Sequence, residues 1–228
     1  MNGLFRFPHT PHLTWLGRGE PRDDKVLTTA EARELLASDV VVEEKVDGAN
    51  VGFSVSAEGN LLAQNRGHYL AAPYAGQFSR LRSWMPAHEE AFVEALGSEL
   101  IAFGEWCAAR HSLSYDRLPD WWLLFDIYDR NERRFWSTVR RNQWATDLGI
   151  PTVPTLERGK LSLGCLKKMM QESRSAFSTG PLEGVVIRCE DDAWLRTRAK
   201  LVRADFIQHI ESHWRNRALE WNGLSDIE

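Results

Sequence analysis

The segment Glu44-Lys45-Val46-Asp47-Gly48-Ala49-Asn50 ends an apolar run in a lysine and then enters a tight polar turn. A lysine that attacks as a nucleophile must be neutral, and its reference pKa is ~10.4. Neutrality at pH 7 therefore takes ~3 pKa units, or ~4 kcal/mol, which nearby cations or desolvation can supply. The plain alternative is a solvated lysine beside an Asp-Gly turn. Three acids lie inside apolar segments: Glu105 in Phe103-Gly104-Glu105-Trp106, Asp126 in Leu124-Phe125-Asp126-Ile127-Tyr128, and Glu183 just before Gly184-Val185-Val186-Ile187-Arg188. A single such acid is ordinarily exposed or salt-bridged. Three of them on separate strands can converge on a cation, a ribose or a metal. Positive charge is also clustered. Arg196, Arg198, Lys200, Arg203, Arg215 and Arg217 face only Asp205 and Glu211 in the same stretch, and 130–141 holds five arginines against Glu132. Each island reads either as a solvated face or as a phosphate-binding surface.

The elements that must position these residues follow from patterning. Residues 28–37 predict a short helix, with Thr28 three residues before Glu31 as a capping box. Segments 39–45, 51–56 and 61–65 predict strands, the last two joined as a hairpin through Ala57-Glu58-Gly59-Asn60. A helix is expected over 87–96, stopped by Gly97, then strands at 100–106 and 121–128. Helices at 137–148 and 163–171 precede strands at 184–189 and 194–202. From Ala204 the stripe Ile207, Ile210, Trp214, Ala218, Trp221 predicts a C-terminal amphipathic helix over 204–222. Strands and helices mix without a βαβ rhythm, so the expectation is one α+β domain over 1–228, with mostly antiparallel sheets flanked by helices.

Composition narrows the function classes. The 28 Lys and Arg against 32 Asp and Glu exclude a protein that coats nucleic acid by bulk charge, though not a locally basic groove. No apolar run approaches the ~20 residues of a membrane helix. The N-terminus has no apolar signal core, so no secretion is expected. Three scattered cysteines fit neither a disulfide framework nor a metal cluster and suit a reduced, cytoplasmic protein. Ten tryptophans are many for this length; most belong to a core, and some can line a base-stacking site.

In order, Lys45-x-Asp47-Gly48, Gly104-Glu105, Phe125-Asp126-Ile127, Glu183-Gly184-Val185-Val186 and the basic strand resemble motifs I, III, IIIa, IV and V of the covalent nucleotidyltransferases. These are the polynucleotide ligases and capping enzymes, and the nearest likeness is to the RNA ligase family, in the branch like RNA ligase 2. The resemblance runs from Glu44 to Phe206. It implies a nucleotidyltransferase (ATP-grasp-like ligase) domain that uses ATP and Mg²⁺ (or Mn²⁺). The lysine takes AMP from ATP, AMP passes to a 5′-phosphate end, and a 3′-hydroxyl joins that end and releases AMP.

By the same resemblance Lys45 is the nucleophile, and Asp47, Gly48 and Asn50 shape its loop. Arg66 meets phosphate or ribose, Glu105 binds a ribose hydroxyl, and Phe125 stacks on adenine. The Glu44 backbone reads the adenine edge, Glu183 serves the metal, and Lys200 holds the α-phosphate. Cations around the triphosphate are expected to depress the pKa of Lys45. The fifth motif departs from the family pattern of two lysines separated by one residue: Val202 fills the second slot and Arg203 follows. Either Lys200 and Arg203 share the phosphate, or Arg198 and Lys200 form the pair. Too little chain follows the basic strand to build the OB domain of DNA ligases and capping enzymes. The reading is thus an ATP-dependent polynucleotide ligase, RNA favoured over DNA, acting on 5′-phosphate and 3′-hydroxyl ends. The alternatives are a minimal DNA nick-sealing ligase and a non-catalytic nucleic-acid-binding module of the same fold.

Overall fold

The computed structural model describes residues 3–18, 21, 25–209 and 219–225. Helix α1 (Thr29–Ala37) opens with the expected capping box: Thr28 Oγ1 accepts from the Glu31 amide while Glu31 accepts from the Thr28 amide. The strands are β1 (Val40–Lys45), β2 (Ala49–Val55), β3 (Leu61–Gln64), β4 (Tyr69–Leu70), β5 (Leu100–Trp106), β6 (Trp122–Asp129), β7 (Arg134–Phe135), β8 (Thr155–Gly159), β9 (Gly184–Glu190) and β10 (Leu195–Val202). Helices α2 (Leu81–Leu96), α3 (Thr138–Asp147), α4 (Leu163–Glu172) and α5 (Ala204–His209) flank them.

The strands form two sheets, one in the order β10-β9-β1-β8 and one in the order β4-β3-β2-β5-β6-β7. All their ladders are antiparallel. The α+β expectation therefore stands. Strands β1 and β2 are consecutive in the chain yet belong to different sheets. The turn Val46-Asp47-Gly48 is thus the crossing between the sheets, and Lys45 stands at its entrance.

Alternation explains what each sheet shows to the other. In β1, Val40 and Val42 pack with Ile187, Ala199, Leu201 and Leu166 under α4. The opposite face of the same sheet carries Glu43 and Lys45 of β1, Arg188 of β9, and Arg198 and Lys200 of β10. The six-stranded sheet buries Val51, Phe53, Trp106 and Trp122 against Trp84 and Phe92 of α2. Its other face carries Asn50, Glu105 and Phe103. Residues 5–7 lie across that face, and 11–13 run along β10 of the four-stranded sheet. Gln64 Nε2 donates to the Phe5 carbonyl at 2.7 Å, Phe7 packs on Phe103 and Phe125, and Lys200 N–H donates to the Pro11 carbonyl.

Three expectations change. Helix α2 begins at Leu81, ahead of Pro86. Pro86 lies in the second turn, where it has no N–H to give the Arg82 carbonyl, and the turn ahead of it is held by the burial of Leu81 and Trp84. Strand β8 was missed because it is mostly exposed and short, with only β1 beside it. The C-terminal helix is present over Ala204–His209; 210–218, with Ile210, Trp214 and Ala218 of the expected stripe, lie outside the described residues. Trp221 is not helical: it bridges Ala109, and Leu224 bridges Leu118. The segment there makes backbone bonds to residues 108–118 instead of to itself.

Candidate active site

The cleft between the sheets is lined by Lys45, Asn50, Arg66, Glu105, Phe125 and Lys200, with Glu43, Asp126, Arg188 and Arg198 behind them. Lys45 Nζ donates to both oxygens of Glu183, at 2.5 and 2.7 Å. Glu183 sits immediately before β9, whose first residue must be glycine to lie against β10: a Cβ on Gly184 would lie 2.3 Å from the Leu201 carbonyl oxygen. Glu105 Oε1 accepts from the Gly48 amide at 3.1 Å. Gly48 is likewise dictated by approach, since a Cβ would meet the Trp106 carbonyl oxygen at 2.6 Å. Asp47 Oδ2 accepts from the Ser112 and Leu113 amides, and the Asp47 amide donates to the Tyr115 hydroxyl. The turn is therefore pinned on both sides.

Three acids set the electrostatics around Lys45. Burial by itself would lower the Lys45 pKa, but Glu183, Glu105 and Asp47 together outweigh it, and the pKa is raised. Glu183 holds the Lys45 amine with both oxygens, the geometry of an ammonium on a carboxylate. The same burial raises the carboxyl groups in turn. Burial pushes Glu183 up against the pull of Lys45, and pushes Glu105 up to about 7 against Lys45 and Arg66. Excess buried acid around one lysine is a cation-seeking environment.

That donor set bears on a divalent ion. Among the described residues no three His, Cys, Asp or Glu side chains form a ready metal cage. Buried acid in excess, without a full cage, fits a hard ion that keeps waters and leans on substrate phosphates. A nucleotide is fitted by a second observation. Asn50 lines the cleft, yet its Oδ1 and Nδ2 are buried with no hydrogen-bond partner. Such a group costs ~1–3 kcal/mol until something bonds to it.

Phe125 is the extra residue of a β-bulge: Phe103 pairs with Asp126 and Gly104 with Leu124, so Phe125 is skipped. The bulge re-aims its half-buried ring into the cleft. Glu44 points the other way, where its carboxylate accepts from Ser175 Oγ and the Ala176 amide and burial raises its pKa. Its backbone amide donates to Pro154, which leaves any reading of a base edge to the carbonyl. Lys200 and Arg198 share one face of β10 and both line the cleft, while Val202 is buried beyond them. Arg203 is outside the lining. Its guanidinium pairs with Asp205 at 2.6 Å, so the structure does not bring it to the other site residues.

Asp126 does not join Glu105 and Glu183 around Lys45. It pairs with Arg188 at 2.9 Å and with Arg198. Arg188 also lies 3.7 Å from Glu43, and Glu43 accepts from Arg141 at 2.5 Å. Arg141 and Arg188 each donate to the Phe125 carbonyl. Glu43, Arg141 and Arg188 were missed as site residues. Arg141 looked like part of a solvated island but is 0% exposed. The one available signal was that Glu43 shares its strand face with Lys45. Arg198, whose pKa burial lowers to about 10, remains a cation at neutral pH and stacks on Phe7 and Phe135.

Comparison with known proteins gives a family match, described as RNA ligase, over residues 38–202. Among curated proteins none matches. Of the solved structures, a mutant RNA ligase of Naegleria gruberi, with ATP and Mn, superposes with a TM-score of 0.62 at 15% identity, covering 90% of this chain and 58% of that one. An archaeal ATP-dependent RNA ligase gives 0.58 at 20% identity, covering 87% and 48%. An Aquifex aeolicus protein assigned provisionally as an ATP-dependent DNA ligase gives 0.54 at 20%, covering 88% and 50%. The chain thus spans about half to three-fifths of these proteins' lengths, and at such identities the likeness is one of fold.

Proposed function

Because the chain belongs to the RNA ligase family, we propose that it is an ATP-dependent polynucleotide ligase that works through a covalent Lys45–AMP intermediate, with RNA favoured over DNA. The observation that carries the reading is Lys45 held by Glu183 in a cleft that also presents the unpartnered amide of Asn50. The neutral Lys45 amine attacks the α-phosphorus of ATP; a P–N bond forms and the bond to pyrophosphate breaks. AMP then moves to a 5′-phosphate, and Lys45 recovers its amine. A 3′-hydroxyl attacks the activated 5′ end, forms the phosphodiester and expels AMP.

Each neighbour has a part in this reading. Glu183, with Glu105 and Asp47 adding negative charge, would hold a divalent ion, Mg²⁺ or Mn²⁺. That ion neutralises triphosphate charge when bound. Glu183 is also the group that keeps Lys45 protonated, so its engagement by such an ion would favour the neutral amine. Lys200 holds the α-phosphate, on the cleft face it shares with Arg198. Arg66 and Asn50 bond to phosphate or ribose, Glu105 to a ribose hydroxyl, and the Phe125 ring stacks on adenine. Preference for RNA rests on the family match.

The test is a panel of nicked duplexes and single strands with RNA or DNA on each side of the junction, incubated with ATP and Mg²⁺ or Mn²⁺. Joining is expected, and most efficiently at RNA ends. Joining of DNA alone would favour a DNA nick-sealing enzyme. No joining of any substrate, with no AMP transferred to protein or strand, would contradict the proposal.

A further inference from the structure

Outside the nucleotide cleft, one cluster combines a rigid cation with an exposed aromatic face. Arg80, at the start of α2, has its guanidinium against two indoles, 4.2 Å from the Trp121 ring and 4.4 Å from the Trp221 ring. Among the described residues no carboxylate pairs with Arg80. The ring contacts do not use the guanidinium N–H groups, which are the part that grips phosphate bidentately. Trp221 is 39% exposed, the more exposed of the two rings.

The cluster is tied to the Lys45 turn by contacts that run through one loop. The Trp121 carbonyl accepts from the Cys107 amide, and Trp221 bridges Ala109. The same loop continues to Ser112 and Leu113, whose amides bind Asp47. Asn222, next to Trp221, accepts from the Tyr115 amide and donates to the Cys107 carbonyl, so the platform is fixed to that loop from below. A fixed cation beside a fixed, exposed ring is what a nucleic-acid strand recognises: phosphate on the guanidinium edge, base on the indole.

We propose that Arg80, Trp121 and Trp221 form a docking platform for the single-stranded flank of a polynucleotide end, with a base stacked on Trp221 and a phosphodiester on Arg80. The proposal rests on the polynucleotide-joining reading above and adds where the strand lies. Trp121 orients Arg80 from the inner side. The platform lies outside the nucleotide cleft and takes no part in lysine–AMP formation.

The test is direct binding of a fluorescent, 5′-phosphorylated single-stranded RNA to the full chain without ATP. Trp221→Ala is expected to weaken binding about tenfold, and Trp221→Phe to keep most of it. Arg80→Gln should weaken binding and reduce the salt dependence by about one phosphate contact. A 5-iodouridine strand should photo-cross-link to Trp221 or Trp121 in the unaltered protein, which answers the question even if a variant fails to fold. Unchanged affinity and salt slope in Arg80→Gln, or cross-links mapped only elsewhere, would overturn the platform. If the strand binds and cross-links at Trp221 but the protein never forms lysine–AMP, the ligase reading fails and the platform survives. If lysine–AMP forms while binding ignores these residues, the platform alone fails.

Discussion

Lys45 enters the cleft as an ammonium, and the carboxyl groups that keep it charged set the pH behaviour of the fold. Glu105 is the clearest case, because its pKa rises to about 7 mainly through burial. A carboxyl whose folded pKa lies above its unfolded value binds more protons folded than unfolded. Its contribution to stability therefore falls as pH rises from about 4.5 toward 7. Glu105→Gln should remove that loss while keeping an acceptor for the Gly48 amide. Denaturant titrations should show the variant more stable than the parent at pH 8, by no more than ~3 kcal/mol, with the difference shrinking toward pH 5. A difference independent of pH would mean that Glu105 ionises freely. Phe125→Ala should raise the ATP concentration needed for lysine–AMP formation about tenfold or more, with Phe125→Tyr and Phe125→Trp milder. An unchanged ATP dependence would assign the ring to packing on Phe7 alone. In the basic strand, Lys200→Ala should block lysine–AMP formation. Arg203→Ala should leave it within about twofold, because the Arg203 side chain pairs with Asp205 outside the cleft. The opposite outcome would move the α-phosphate contact to Arg203.

Between the sheets, the elements are joined by charge. Arg141 of α3, Glu43 of β1, Arg188 of β9 and Asp126 of β6 form a buried strut behind the cleft. Removing one partner leaves an uncompensated buried charge. Arg141→Met should therefore cost ~3–5 kcal/mol, seen as a fall in Tm of about 10 °C at this chain size. A fall of only a degree or two would show that Glu43 is satisfied without Arg141. This strut marks the limit of what the sequence discloses. Strand alternation placed Lys45, Glu105 and Glu183 at strand ends or on a shared face, because each is set by local pattern and motif order. The Glu43–Arg141 pair spans 98 positions, and no local pattern distinguishes a buried arginine from a solvated one in an arginine-rich stretch. The Phe125 bulge is similarly silent, since it depends on a neighbouring strand's register. The basic strand left two pairings open, and the structure brings Arg198, not Arg203, to the cleft beside Lys200. Local pattern did not show Asp205 as the competing partner of Arg203.

At the scale of the whole molecule, two antiparallel sheets face each other, and the chemistry sits at the short β1–β2 turn where the chain passes from one to the other. Pattern and order were enough to identify the fold. They did not show that Phe5 and Phe7 pack on the second sheet, against Phe103 and Phe125, while 11–13 pair with β10 of the first, because those residues carry no periodicity. They also extended the last helix through Trp221, where backbone bonds to 108–118 hold an extended segment instead. Every proposed role in the cleft depends on a covalent bond at Lys45, and that bond can be looked for. The protein is incubated with ATP labelled at the α-phosphate and a divalent metal, digested, and the adduct mapped by mass spectrometry. One AMP is expected on Lys45, acid-labile and base-stable, and none in Lys45→Ala. An adduct on another residue, or label that persists in Lys45→Ala, would contradict the lysine–AMP mechanism.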